Sequence, residues 1–147
     1  MSVMAKADIC RLIPHAGAMC LLDTVDAWTE SCITCTATSH RDVSNPLRRR
    51  EKLDAICGLE YAAQAMAVHI GLVHKTVPHR TRVGYLGGIR NVALQASRLD
   101  TLADDLLIQS TRLLAESDSF LYSFQISSSG RELMSGRASI FLRSIEG

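Results

Sequence analysis

The apolar positions of the chain change period several times, and each change predicts an element. Residues 7–13 (ADICRLI) place apolar side chains three and four apart and stop at Pro14, which predicts a short helix followed by a turn containing Gly17. Residues 19–28 (MCLLDTVDAW) and 32–39 (CITCTATS) are rich in apolar and β-branched residues; with the polar Thr29–Ser31 between them they predict a β-hairpin. Residues 40–52 (HRDVSNPLRRREK) carry Asn-Pro and follow neither period, so they form a loop. From Leu53 the segment LDAICGLEYAAQAMAVHIGLVH has almost no polar face and runs out before Pro78, with Asp54 as its N-cap. A helix apolar all round has to be wrapped by other structure. Four long strands are predicted after it, at 83–96, 105–116, 119–127 and 132–143, and the short polar breaks between them predict antiparallel neighbours. The sum is an α+β architecture, an antiparallel curved sheet wrapped around one long central helix, with residues 1–147 in a single domain.

Composition narrows the classes of function. Hydrophobic residues make up 47% and charged ones 21%, too apolar for a disordered chain. Lys+Arg 16 against Asp+Glu 15 leaves a formal charge of +1, without the positive excess of a phosphate-tracking protein, so nucleic acid is not an expected partner. Leu53 to Val73 is long enough to span a bilayer, yet Asp54, Glu60, Gln64 and His69 fall inside it; it reads as a core helix and not a membrane span. Five cysteines are an odd number, and MSVMAKADICRLIPHAG lacks the basic start, apolar run and cleavage site of a secretory signal. The expectation is a cytoplasmic protein with reduced thiols. Cys32 and Cys35 form a CxxC, but no second pair follows at a zinc-ligand spacing, so they read as buried or half-buried thiols. No metal or cofactor is expected.

Two residues stand out chemically. Glu60 lies in the middle of the most apolar helix, where an unpaired carboxylate would cost several kcal/mol by desolvation. Either Gln64, one turn later, or an Arg from a strand satisfies it as a buried polar pair, or it is a neutral acid placed to donate a proton. His40 opens the loop that leads to this helix; a lone loop histidine is either exposed and inert or a base. Arg48, Arg49, Arg50 and Lys52 form a dense basic cluster, either a solvated face or a holder of acidic groups. His69 reads as a satisfied core histidine. Gly84, Gly87 and Gly88 lack the Lys-Ser/Thr of a phosphate loop and read as permitting a bulge or the close passage of a ligand chain.

The motifs also carry a family likeness. LIPHAGAMCLLDTV resembles the LPHR-x-P-FLLVDRV opening of bacterial β-hydroxyacyl-ACP dehydratases. SHRDVSNP resembles their GHFP-x-x-P, CGLEYAAQA their carboxylate followed four residues later by Gln, and YLGGIRNV their YFAGIDKA. NPLRR, EYAAQAMAVH and GYL are most similar to the dehydratase-like proteins of bacterial aryl-polyene clusters. The resemblance implies the hot-dog fold and dehydration of a 3-hydroxyacyl thioester, on acyl carrier protein, to a trans-2-enoyl thioester. It implies His40 as catalytic base and Glu60 as catalytic acid, meeting across a dimer interface, in a homodimer or a heterodimer with a related hot-dog subunit. His15 matches a family histidine that is not catalytic. Ala55, at the helix entry, is the candidate backbone donor to the thioester oxygen; Gln64, Gly87 and Gly88 are candidate substrate contacts, and Arg48 and Arg49 candidate contacts to the carrier protein or its phosphopantetheine. Asp54-Ala55 replaces the family's Pro-Gly, and the loop from Pro46 to Glu60 is longer. Two alternatives stand beside this: a hot-dog acyl thioesterase using only the helix carboxylate, and a non-catalytic partner subunit of a heterodimeric dehydratase.

Overall fold

The computed structural model describes residues 4–13, 19–74 and 82–144. In chain order the elements are β1 (Met4–Ala5), α1 (Lys6–Leu12), β2 (Thr24–Trp28), β3 (Cys32–Ala37), α2 (Gly58–His74), β4 (Arg82–Leu94), β5 (Leu106–Glu116), β6 (Ser119–Ser128) and β7 (Arg131–Ser144). The strands form one seven-stranded antiparallel sheet in the order β1-β2-β3-β5-β6-β7-β4. The sheet curves around α2, which packs on β3, β5, β6 and β7. Alternate residues of these strands supply the core, among them Ile33 and Cys35 of β3, Ile108 of β5 and Tyr122 and Ile126 of β6. Along α2, Tyr61, Ala62, Ala65, Met66, Val68 and His69 are fully buried or nearly so. Wrapping is therefore achieved on most of the helix, as its lack of a polar face requires.

Three expectations are corrected. The hairpin's first strand starts at Thr24 and not at residue 19, because the backbone just before it is bonded elsewhere: Leu21 N donates to Gln64 Oε1 (2.9 Å) and Met19 O accepts from Gln64 Nε2 (2.6 Å). Consecutive strands are not always neighbours: β4 pairs only with β7 at the far edge, while β5 lies beside β3. The long helix between β3 and β4 carries the chain across the sheet, so β4 joins from the other side. Finally, Cys10 and Cys20 are joined in a disulfide that ties α1 to the segment before β2, so not all five thiols are reduced. Cys32, Cys35 and Cys57 are free, and burial pushes the Cys35 thiol up to about 12, with the nearby Asp26 charge adding to it. The turn expected around Gly17 and the residue His15 lie outside the described residues.

The bulge expected at the glycines is present: the β4–β7 register shifts between Leu86 and Gly88. A Cβ on Gly87 would stand 2.1 Å from the ring of Phe141, whereas one on Gly88 would meet nothing within 4 Å. Gly87 is thus the position that lets Phe141 close over the strand.

His69 is a satisfied core histidine. The Thr29 carbonyl can only accept, so Nε2 carries the proton it donates there (2.9 Å), and Nδ1 accepts from the Tyr122 hydroxyl (2.6 Å). Burial lowers its pKa below the usual value. The unfolded chain, with this group near about 6.5, therefore binds more protons than the native one just below that pH. The associated stability is complete above it and is lost as pH falls. We expect the urea midpoint to decline between about pH 7 and pH 5, and His69→Gln, measured in the same titration, to flatten that decline.

Candidate active site

The loop between β3 and α2 begins with a 3-10 turn, Ser39–Arg41, and this turn decides the state of His40. A loop histidine can be exposed and inert, but His40 is 0% exposed. Its Nε2 lies 3.0 Å from the Asp104 carbonyl, and since a carbonyl only accepts, Nε2 carries the proton. Nδ1 is then a bare lone pair, buried, with no hydrogen-bond partner among the described residues. Burial is the largest influence on the ring and lowers its pKa, with Arg41 acting in the same direction; the Asp104 and Leu102 carbonyls and Asp105 oppose them. The arrangement is a neutral imidazole with its basic nitrogen unsatisfied, which is costly in a merely structural residue.

The turn is held from two sides. On one, Arg41 Nη1 donates to Ala103 O (2.5 Å) and Nη2 bonds Asp105 (3.1 Å), while Ser128 Oγ fixes the Asp104 and Asp105 carbonyls. On the other, Ser39 Oγ meets the Tyr61 hydroxyl (2.8 Å) and Asn45 Nδ2 reaches both Ser39 O (2.9 Å) and Tyr61 Oη (3.1 Å). None of Ser39, Asn45, Tyr61, Asp104 and Ser128 was a candidate from sequence. The available signals were a tyrosine in an otherwise aliphatic helix and an Asn-Pro that reads as loop punctuation.

Glu60 occupies the first turn of α2 but is only half-buried, which corrects the expectation of a carboxylate sunk among apolar groups. It lies on a stripe with Leu59, Ala63 and Ala67, half-exposed at helical spacing, which the chain's own sheet does not close over. Gln64 Nε2 stands 3.5 Å from Glu60 Oε2, but Gln64's main bonds go to the backbone of residues 19 and 21. Those two bonds give Gln64 a structural role, tying α2 to the segment before β2. His40 and Glu60 are not bonded to each other, although their neighbours Ser39 and Tyr61 are.

The helix entry is clamped by the β4–β5 connection. Leu53 N donates to Asp100 Oδ1 (2.9 Å), Leu99 N to Leu53 O (2.8 Å) and Ala55 N to Ser97 O (2.9 Å). Arg98 grips Asp100 through both carboxylate oxygens and holds that carboxyl well below its usual range. Asp54 makes no side-chain cap; its carbonyl accepts from Cys57 N (3.0 Å). The amides of Ala55, Cys57 and Gly58 are therefore all bonded, which corrects the assignment of the Ala55 N–H as the donor to a thioester oxygen. The basic cluster forms a tight two-residue turn closed by Arg49 and Lys52, with Arg50 (φ 53) and Glu51 (φ 64) in the left-handed region. That conformation costs non-glycine residues about 1–2 kcal/mol each. Arg48 buttresses the loop by donating to the Asp42 and Glu51 carbonyls.

A curved antiparallel sheet closed around one long helix is the hot-dog fold, here with a buried imidazole on the turn leading to the helix. The chain belongs to the ApeP-like family: the model for that family, described as ApeP dehydratase, matches residues 7–145. Among solved structures it is similar to the dehydratase heterocomplex ApeI:P from Xenorhabdus doucetiae, at 28% identity over 92% of this chain and 91% of that one, TM-score 0.81. A thioesterase from Haemophilus influenzae (10% identity, 98% and 94% covered, TM-score 0.66) and a mutant thioesterase from Pseudomonas aeruginosa (9%, 84% and 82%, TM-score 0.61) share the fold. No curated protein sequence matches the chain.

The Gln64 bonds generate a test. Gln64→Leu keeps the volume but leaves the buried Leu21 N–H and the Met19 carbonyl without partners. We expect a loss of about 1–3 kcal/mol in unfolding free energy by urea titration, with faster hydrogen exchange at Leu21.

Proposed function

We propose that this chain is a dehydratase subunit that removes water from a 3-hydroxyacyl thioester, carried on acyl carrier protein, to give a trans-2-enoyl thioester. The observation that carries the reading is the buried, neutral His40 ring with an unpartnered Nδ1. In the proposed reaction that lone pair takes the α-proton, the C–O bond at the β-carbon breaks, and Glu60 protonates the departing hydroxyl so that it leaves as water. Charge developing on the thioester oxygen needs a backbone donor. Ile56 N–H is the amide of the entry turn not bonded to another described group, and it takes the role first given to Ala55.

No hydrogen bond joins His40 to Glu60 among the described residues, and the proposed site is completed by a second hot-dog subunit. Three observations support this. The chain is similar to a member of a dehydratase heterocomplex. The stripe around Glu60 is left half-covered. Edge strand β4 exposes Leu86, Ile89, Val92 and Leu94 beside an unpaired backbone. Arg49 and Arg50, beside the helix entry, are the proposed contacts to the acidic carrier protein, with Arg48 shaping the loop that presents them. Gly88, open above its Cα, is the better candidate of the two strand glycines for a passing acyl chain, since Phe141 covers Gly87. One observation favours a second reading, a non-catalytic partner subunit: most amides at the helix entry are already bonded to carbonyls.

The test uses the purified chain together with its hot-dog partner and a 3-hydroxyacyl carrier protein, following loss of one water by mass and release of free thiol. Water loss supports the dehydratase, thiol release a thioesterase. His40→Ala and Glu60→Gln, in this chain alone, should each lower kcat/KM by at least about 100-fold with assembly intact; full activity in both would assign the chain the non-catalytic role. Since burial keeps the imidazole neutral, the acid limb of kcat/KM should lie below about pH 6.5, with activity retained above it and lost as the ring protonates.

A further inference from the structure

We infer that Tyr61 is the positioning residue for His40, its hydroxyl locking the turn that aims the imidazole to the helix that carries Glu60. The inference rests on the dehydratase reading for its kinetic consequence, though not for its geometry.

The directions of the bonds are determined by proton counting. Ser39 has one hydroxyl proton, and the Leu21 carbonyl, 2.8 Å away, can only receive it. The Ser39 oxygen therefore accepts from the Tyr61 O–H. The Tyr61 oxygen in turn accepts from Asn45 Nδ2, which also donates to Ser39 O, while Asn45 Oδ1 receives Leu47 N (2.8 Å). Every donor and acceptor in this set has a partner, and the whole set is within residues 39–47 apart from the Leu21 carbonyl and Tyr61 itself. Tyr61 is 0% exposed and Asn45 6%, so neither can fall back on water. Burial also holds the Tyr61 phenol above its usual range, which keeps it a donor.

A phenylalanine would fill the same core volume without importing a polar atom. The hydroxyl's bonds lead only to the segment that carries His40, whose ring has a single bond of its own, to Asp104 O. The opposite anchor, Arg41 on residues 103 and 105, holds the turn to the sheet connection, whereas Tyr61 holds it to α2. Tyr61 therefore fixes where the imidazole stands on its own subunit, and a displacement of about 1 Å is enough to misplace a base against the α-proton of a substrate held between two subunits.

The test is Tyr61→Phe in the assembled complex, read by kcat and KM separately and by ring-nitrogen NMR of labelled histidine. We expect kcat to fall about tenfold or more with KM within about twofold, and the His40 signal to lose its single Nε2–H form. Should that variant not fold, Ser39→Ala removes the acceptor while sparing the Tyr61–Asn45 bond, and a smaller kcat loss in the same direction is expected. Wild-type kcat together with an unchanged His40 spectrum overturns the inference, as does a loss confined to KM or to thermal stability. If the wild-type complex dehydrates nothing, the functional reading falls and the His40 spectrum alone decides the positioning role.

Discussion

A helix of 17 residues with no polar side must be covered on all sides, and nearly every other feature of this protein follows from how that covering is done. One curved sheet of seven strands buries most of α2, each large side chain contributing on the order of 1.5–3 kcal/mol. The sheet does not close completely. It stops at β4, an edge of 13 residues with apolar side chains on view, and leaves the stripe through Leu59, Glu60, Ala63 and Ala67 half open. The same shortfall that leaves Glu60 half-exposed leaves apolar side chains of β4 on view. Apolar side chains exposed on β4 and a half-exposed carboxylate on α2 are thus two consequences of one incomplete burial.

The His40 turn shows how a polar loop can deliver a buried group. Its main chain makes a single 3-10 turn, too short to be stable alone, and it persists because side chains from both flanks take up its bonds. The result is a histidine whose proton sits on a known nitrogen, facing a carbonyl, with the other nitrogen bare. His69 is the informative contrast. Both histidines are wholly buried with lowered pKa values, but His69 has a partner on each nitrogen and His40 on one. Full satisfaction marks the structural histidine, and the single orphaned nitrogen marks the reactive candidate.

The helix entry illustrates a different economy of bonds. Where the family has Pro-Gly, Asp54 is extended and Ala55 opens a 3-10 turn, and the segment from Leu53 to Ala55 is stitched to residues 97–100, so that the β4–β5 connection, crossing two strands, doubles as a clamp on α2. Asp100, gripped by Arg98, keeps its charge far into acid and hence keeps its bond to Leu53 N–H. The strained tip at Arg50 and Glu51 lies just before this clamp, where the chain has no freedom left to relax it.

Alternation and turn chemistry in the amino-acid sequence locate β3 and β4 to β7 within about two residues, identify the central helix, and single out His40 and Glu60 as chemically unusual. Those signals are local: a period of two or 3.6 is written in adjacent residues. What only the tertiary structure decided depends on partners far apart in the chain. Leu21 N–H finds Gln64 across 43 residues and so delays the start of β2 to Thr24, Ser39 finds Tyr61 across 22, and His40 finds the Asp104 carbonyl across 64. The same holds for the Cys10–Cys20 bond and for the place of β4 at the sheet's edge. A side chain's identity says which bonds it can make; which of them it does make is determined by the backbone that folding brings within 3 Å, and no local pattern encodes that.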